Sequence, residues 1–321
     1  MQSSKLRIGI ISAEKSGDYL AASFIESLKS SGRDFELFGI GGKELDKFNI
    51  SRPQDFEREI LNVMGIIDPL KNLRQILRAR KQILDFFISK NINIFIGVDS
   101  PDLNSFFHKK LKKINSTINF QIVSPSVWAW RSGRVKQLRK FVDTTFCLFK
   151  FEHEYLKKNN VNSFHVGHPF QDIEKVEDVS SIKNRYGINN DSECLTFLVG
   201  SRRSEISNML SVYKKVIKKL YDGDKSYSFL FPVVNQDHKN IIQSELSGLE
   251  TPIFVQTDKM KDFLSLSTFT ISTSGTASLE AACYGNIPII CYKTSLINYL
   301  ILKEMLLERD FLMNLKKNLN H

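Results

Sequence analysis

Residues Thr270-Ile271-Ser272-Thr273-Ser274-Gly275-Thr276-Ala277-Ser278-Leu279-Glu280 read as an apolar strand, a Ser/Gly/Thr turn and the opening of a helix, the repeating piece of an α/β fold. The same order makes a phosphate site. A helix that begins at Ser274 to Thr276 aims unpaired backbone N–H groups and the positive end of its dipole at an anion, with two hydroxyls beside them. Glu280, one helical turn further on, is poorly placed for a phosphate but well placed to accept hydrogen bonds from sugar hydroxyls of the same ligand. Taken alone, the segment fits an ordinary helix cap equally well.

Outward from this segment, short β-rich apolar runs alternate with helix-period stretches along the chain, which predicts parallel sheets covered by helices. Strands are expected near Leu6 to Ile11, Phe35 to Ile40, Ile94 to Val98, Phe120 to Val123, Thr145 to Phe149 and Phe164 to Val166. After Pro169 a charged, non-periodic stretch from Gln171 to about Asp191 reads as a connector. A second series follows near Leu195 to Val199, Tyr227 to Phe231, Pro252 to Val255, Phe269 to Ser272 and Ile287 to Cys291. The expectation is two doubly wound, Rossmann-like domains, residues 1–170 and 171–303, facing across a cleft, with a short tail at 304–321. In open sheets of this kind ligands bind beyond the carboxyl ends of the strands.

Composition narrows the partners. The chain has 321 residues, 42% of them hydrophobic, and a formal net charge of +10 that favours acidic partners such as a phosphorylated substrate or an anionic lipid surface. No nucleic-acid motif or aromatic-interleaved basic stripe accompanies the charge, so no nucleic acid is expected. No run approaches the roughly 20 apolar residues of a spanning helix, and the apolar run Ile8 to Ile11 is too short for a signal core, which places the protein in the cytoplasm. Cys147, Cys194, Cys283 and Cys291 are scattered and read as reduced thiols, the last three in apolar segments that look buried. The histidines show no metal-ligand spacing, so no metal is expected.

The motifs that carry chemistry each follow a predicted strand. Glu14 projects from Ser12-Ala13-Glu14-Lys15-Ser16-Gly17-Asp18, where Ser16 and Gly17 form a tight turn into a helix starting near Asp18; common capping chemistry looks the same. Gly39-Ile40-Gly41-Gly42 lets backbone approach a ligand or a neighbouring segment and lacks the rest of a dinucleotide fingerprint. Asp99, in Gly97-Val98-Asp99-Ser100-Pro101-Asp102-Leu103-Asn104, comes off a buried strand end as a candidate general base, or else caps the helix that Pro101 opens. Ser124-Pro125-Ser126-Val127-Trp128-Ala129-Trp130-Arg131 holds both tryptophans of the chain and suits a substrate-lining wall or a packed core. In Gly200-Ser201-Arg202-Arg203-Ser204-Glu205 a Gly-Ser turn with an arginine at a helix start suits a diphosphate. Finally, the stretch from Val63 to Lys81 sets Ile66, Ile67, Leu70, Leu73 and Leu77 at helical spacing among basic residues, as in a membrane-surface helix or a helix packed on a sheet.

Together these segments resemble the lipid A disaccharide synthase family, inverting glycosyltransferases of the two-domain GT-B class in Gram-negative bacteria. The matching runs are Glu14-Lys15-Ser16-Gly17-Asp18, Val63-Met64-Gly65, Gly97 to Asp102, Ser124 to Arg131, Val166-Gly167-His168-Pro169, Gly200 to Arg202 with Glu205, and Ser274-Gly275-Thr276 with Leu279-Glu280. The resemblance implies transfer of a diacylglucosamine unit from its UDP conjugate to the 6-hydroxyl of diacylglucosamine 1-phosphate, without a metal or other cofactor. It assigns Asp99 as the base, Arg202 and the Ser274 to Thr276 turn to the diphosphate, and Glu280 to the ribose. Glu14, Ser16, Trp128, Arg131 and Glu205 fall in its substrate-binding motifs, and Ile66, Ile67, Leu70, Leu73 and Leu77 in its membrane-facing patch. The protein is then peripheral on the cytoplasmic face of the inner membrane.

The match fades after Lys303, where family members continue through a Pro-Asn pair and returning helices that support dimerisation. Asn314 is a candidate for that asparagine in an uncertain register. A homodimer weakened by the short carboxyl end is the expectation. Two alternatives stay open: a UDP-N-acetylglucosamine 2-epimerase, which shares the architecture and a Ser-Gly turn before a ribose-binding Glu, and a truncated paralogue that binds UDP-sugar or membrane without turnover.

Overall fold

The computed structural model describes residues 5–13, 15–54, 56, 73–114, 116–128, 133–172, 178–200, 203–224, 226–273, 275–291 and 293. They form two compact units, one up to Pro169 and one from Phe170 onward, each built on its own parallel sheet.

The first unit runs β1 (Leu6–Ser12), α1 (Lys15–Ser30), β2 (Phe35–Ile40), the short α2 (Lys43–Asp46), α3 (Leu73–Ser89), β3 (Ile94–Val98), α4 (Pro101–Ile114), β4 (Ile118–Ile122), α5 (Arg134–Phe141), β5 (Thr144–Cys147), α6 (Lys150–Lys158) and β6 (Ser163–His165). The sheet order is β2-β1-β3-β4-β5-β6, all pairs parallel. Strands buried on both faces read as near-continuous apolar runs, which is why β1 and β3 are legible from residue type alone. One face packs Ile8, Ile10, Ile96 and Val98 against Ala21 and Ile25 of α1 and Leu45 of α2. The other packs Ile11, Phe38 and Phe95 against Ile83, Leu84 and Phe87 of α3 and Leu103, Phe107 and Leu111 of α4.

A 3-10 turn at Pro169–Asp172 straddles the boundary, and the second unit continues α7 (Val179–Tyr186), β7 (Glu193–Leu198), α8 (Arg203–Gly223), β8 (Tyr227–Val233), α9 (Gln236–Leu246), β9 (Ile253–Thr257), α10 (Met260–Leu266), β10 (Ser267–Ser272), α11 (Thr276–Cys283) and β11 (Ile287–Ile290). Its sheet order is β11-β10-β7-β8-β9, again parallel throughout. Phe197, Phe229, Phe231 and Ile271 meet Ile206, Tyr213 and Ile217 of α8 and Ile242 of α9 on one face. Ile182 of α7 packs with Leu230 and with Phe263 of α10 on the other.

Two expectations are corrected here. The charged stretch read as a connector contains helix α7, whose Ile182, together with Ile188 beyond its end, is core; Gly187 closes the helix at φ +69°, and Lys183 lays its stem inside to donate to Asn190 O and Ser192 O, both at 2.7 Å. Cys283 is exposed at the end of α11 and Cys291 half-buried, because each sits where its element leaves the core; Cys147 and Cys194 are buried.

Candidate active site

In the first sheet β1 is followed on one side by β2 and on the other by β3, so the topological switch point lies between the carboxyl ends of β1 and β3. Asp99 leaves β3 there, and Gly17, in the first turn of α1, sits against it. A Cβ placed on Gly17 would stand 3.5 Å from the Cβ of Asp99 and 3.0 Å from Ser12 Oγ, so glycine is what lets the start of α1 close up on the end of β3. Ser16 is half-buried in the first turn of α1 beside it. The helix starts at Lys15, not near Asp18, because Asp18 is engaged elsewhere: its buried carboxylate accepts the N–H groups of Gly42 at 2.6 Å and Glu44 at 2.8 Å. The Gly39 to Gly42 motif therefore serves a neighbouring segment. A Cβ on Gly42 would meet Asp18 Oδ2 at 2.5 Å, and Gly39, at φ +136°, lies directly on the Ile10 carbonyl.

The backbone at Asp99 is held in an uncommon state. Asp99 and Ser100 lie at φ +50° and +37°, and Val123, which follows the neighbouring β4, at φ +71°. Left-handed backbone is rare for any residue with a side chain and rarest for a β-branched one, and such outliers concentrate at functional sites. Ser100 O accepts the N–H groups of Leu103 and Asn104, so Ser100 is where α4 begins and the Asp99 side chain stands before it.

Beyond β4 and β5 an aromatic group collects at the same edge of the sheet. Trp128, half-buried, meets Phe151 edge-on at 5.0 Å; Phe149 stacks on Phe151 at 5.6 Å and on His168 at 5.8 Å. Beneath them Glu152, 6% exposed, reaches back from the first turn of α6 and accepts the Phe149 N–H at 3.3 Å. Burial pushes its carboxyl up to about 7, with hydrogen bonds from the Phe149 and Leu148 backbone pulling the other way. The Trp128 indole N–H lies against that carboxyl without closing a hydrogen bond of ordinary geometry. Sequence reasoning missed Glu152, Phe149 and Phe151; the only signal was an aromatic-acidic cluster, Phe149-Lys150-Phe151-Glu152, just after a strand.

In the second sheet β7 has β8 on one side and β10 on the other, so its switch point brings together the loops at Gly200 and Gly275. Thr273 ties the two strand ends together, its N–H donating to Leu198 O at 3.1 Å. Gly200, at φ +94°, has the Glu205 carboxylate folded directly over it, so the first turn of α8 lies against the end of β7. Gly275 opens α11 at φ +141°, with no side-chain cap on the helix, and its carbonyl accepts the Ser278 hydroxyl at 2.7 Å. Glu280 is half-buried on the second turn of α11.

The site residues Glu14, Arg131, Arg202 and Ser274 lie outside the described residues, as do Ile66, Ile67, Leu70, Asn314, the tail at 304–321 and the side chains of Leu73 and Thr276. Of the proposed membrane-facing set, Leu77 is described: it is 52% exposed, flanked by exposed Arg74, Arg78 and Lys81, while Ile76 and Ala79 are buried and Ile83 and Phe87 pack α3 onto the sheet. Among the described residues no helix is long and apolar enough to cross a membrane, and no group of three His, Cys, Asp or Glu side chains could hold a metal ion.

Each sheet thus puts a glycine-bearing segment at its switch point, the first with an aspartate and the second at a helix N-terminus, where open α/β sheets bind ligands. A family model described as lipid-A-disaccharide synthetase matches residues 8–315. The chain belongs to the lipid-A-disaccharide synthetase family. It is 32% identical over 305 residues to the lipid-A-disaccharide synthase of Methylobacillus flagellatus, covering 93% of this chain and 79% of that one. It is 34% identical over 299 residues to that of Hydrogenovibrio crunogenus, covering 92% and 79%. Among solved structures, UDP-GlcNAc 2-epimerase from Neisseria meningitidis, bound to UDP-GlcNAc, superposes with a TM-score of 0.60 over 93% of this chain and 85% of that one, at 13% identity. That likeness is one of fold, the GT-B class, and says nothing of epimerisation. Membership of the synthetase family makes the chain a glycosyltransferase of lipid A assembly.

Proposed function

We propose that this chain transfers 2,3-diacylglucosamine from its UDP conjugate to the 6-hydroxyl of 2,3-diacylglucosamine 1-phosphate, with inversion, giving the β-linked disaccharide 1-phosphate and UDP. The observation that carries this reading is the pairing of the family match over residues 8–315 with Asp99 at the β1/β3 switch point, on a strand end where a general base belongs. The acceptor O6 attacks C1 of the donor while the Asp99 carboxylate takes its proton. The bond from C1 to the phosphate oxygen breaks, and UDP departs with the electron pair. The open N-terminus of α11 at Gly275, with Arg202 and the hydroxyls of Ser274 and Thr276, neutralises the departing diphosphate. Glu280 accepts the ribose hydroxyls. Glu14 and Ser16, of the segment that brings Gly17 against Asp99, and Trp128 with Arg131 bind the acceptor.

The acceptor and donor are lipids, and exposed Leu77 among Arg74, Arg78 and Lys81, in a chain of net charge +10, supports docking of the segment from Ile66 to Leu77 on the anionic cytoplasmic surface of the inner membrane. Asp99→Asn keeps the shape and removes the base. It is expected to lower turnover at least about a hundredfold with UDP affinity unchanged; turnover within a few fold of the parent would leave Asp99 as a helix-entry residue and place the base elsewhere.

A further inference from the structure

A central parallel strand is ordinarily apolar on both faces, yet β4 carries Asn119 and Gln121, 0% and 1% exposed, on one of them. Gln121 explains how the left-handed residues are held. Its Nε2 lies 3.1 Å from Asp99 O, 3.1 Å from Ile122 O and 3.3 Å from Val123 O, so one amide gathers the strand ends of β3 and β4. Asp99 O accepts a second amide, Asn104 Nδ2, at 2.7 Å, and the Asp99 N–H donates to Ile122 O at 2.9 Å. Gly97 makes the room: a Cβ there would stand 2.7 Å from Asn104 Cγ.

Three carbonyls demand that Gln121 present its NH₂ to them, which turns Oε1 away. Oε1 lies 3.0 Å from Nε2 of His108, 2% exposed on α4. Nε2 must then carry the hydrogen, and His108 Nδ1, buried and without a partner among the described residues, is the bare acceptor of that tautomer. Burial holds the ring pKa down to about 4, so it stays neutral and the tautomer persists at neutral pH.

We propose that His108 and Gln121 form a positioning relay: the imidazole N–H orients the Gln121 amide, and that amide, with Asn104, sets the backbone of Asp99 and so the direction of its carboxylate. The relay rests on the proposed role of Asp99 as base. All three are buried, at 2% exposure or less, and act through Asp99.

Gln121→Met keeps length and volume and removes every donor and acceptor. It is expected to lower kcat roughly ten- to a hundredfold, since misplacing a reacting group by about 1 Å costs on that order. Donor KM and calorimetric UDP affinity should stay within about twofold, a split that a general loss of fold would not produce. His108→Phe, whose ring can keep the edge contact with Phe95 at 4.9 Å, should lower kcat several-fold. The double variant should fall no lower than Gln121→Met alone, because the two act in series. Asp99→Asn is measured beside them. If it abolishes turnover while Gln121→Met keeps parental kcat, the relay is wrong and the base stands; if it keeps full turnover, both fall. Should Gln121→Met fail to fold, folded His108→Phe decides, and parental kcat in it overturns the relay.

Discussion

Glu152 and His108 are both buried and titrate in opposite senses, which gives the first unit a testable pH signature. The Glu152 carboxyl is raised from 4.5 to about 7 by burial, so between those values the folded chain holds a proton that the unfolded chain has lost, and stability falls as pH rises through the window. His108 is lowered from 6.5 to about 4, so the unfolded chain binds the extra proton and stability falls as pH drops from 6.5. Glu152→Gln should remove the first slope, raise stability by on the order of 2 kcal/mol at pH 8, and leave the second slope in place. Denaturant titrations from pH 4 to 8 check it, and an unchanged slope above pH 5 would mean that water reaches the carboxyl. The functional residues divide in the same way between legible and hidden. Asp99, Gly200 and Gly275 stand in glycine- and serine-bearing turns after apolar strands, a signal that residue type carries directly. Asn104, His108 and Gln121 were not legible because a polar side chain in a sequence looks solvated, and only the fold shows that α4 and β4 bury all three against each other.

Helix α3 shows how far an element can be read from its pattern. Ile76, Ala79, Ile83 and Phe87 fall on one buried stripe, with Ile83 and Phe87 packed in the core on the sheet, while Leu77 stands outside it. Ile83→Ala should therefore cost about 2–5 kcal/mol. Leu77→Ser should change stability by less than about 0.5 kcal/mol yet weaken sedimentation with anionic vesicles. Comparable destabilisation by the two would return Leu77 to the core and remove the membrane role from this helix. Strand positions were legible because buried parallel strands are continuous apolar runs, and each expected strand is present, with ends shifted by up to two residues. Helix α7 was not, because its two core anchors, Ile182 and Ile188, are six residues apart among charges, too sparse for a helical period to declare itself.

At the scale of the molecule, two sheets with separate cores imply two cooperative units, and the tryptophans let them be followed apart. Trp128 and Trp130, the only two in the chain, both precede Pro169, so tryptophan fluorescence reports the first unit, whereas far-UV circular dichroism reports both. The groups proposed to hold the donor, at Gly275 and Glu280 and in the turn after Gly200, all belong to the second unit. A ligand that binds only the folded form stabilises it by about 2.7 kcal/mol at a hundredfold excess over Kd. For a unit of little more than a hundred residues that is a shift of roughly 10 °C. UDP should therefore raise the part of the dichroism melt that tryptophan fluorescence does not follow and leave the fluorescence midpoint within about 1–2 °C of its free value. Glu280→Gln should shrink the shift, because a neutral amide accepts the ribose hydroxyls less strongly than a carboxylate. A UDP shift carried equally by fluorescence and dichroism would mean that the nucleotide is held by the first unit, or that the two melt as one, and would remove the assignment of the donor to the loops after β7 and β10.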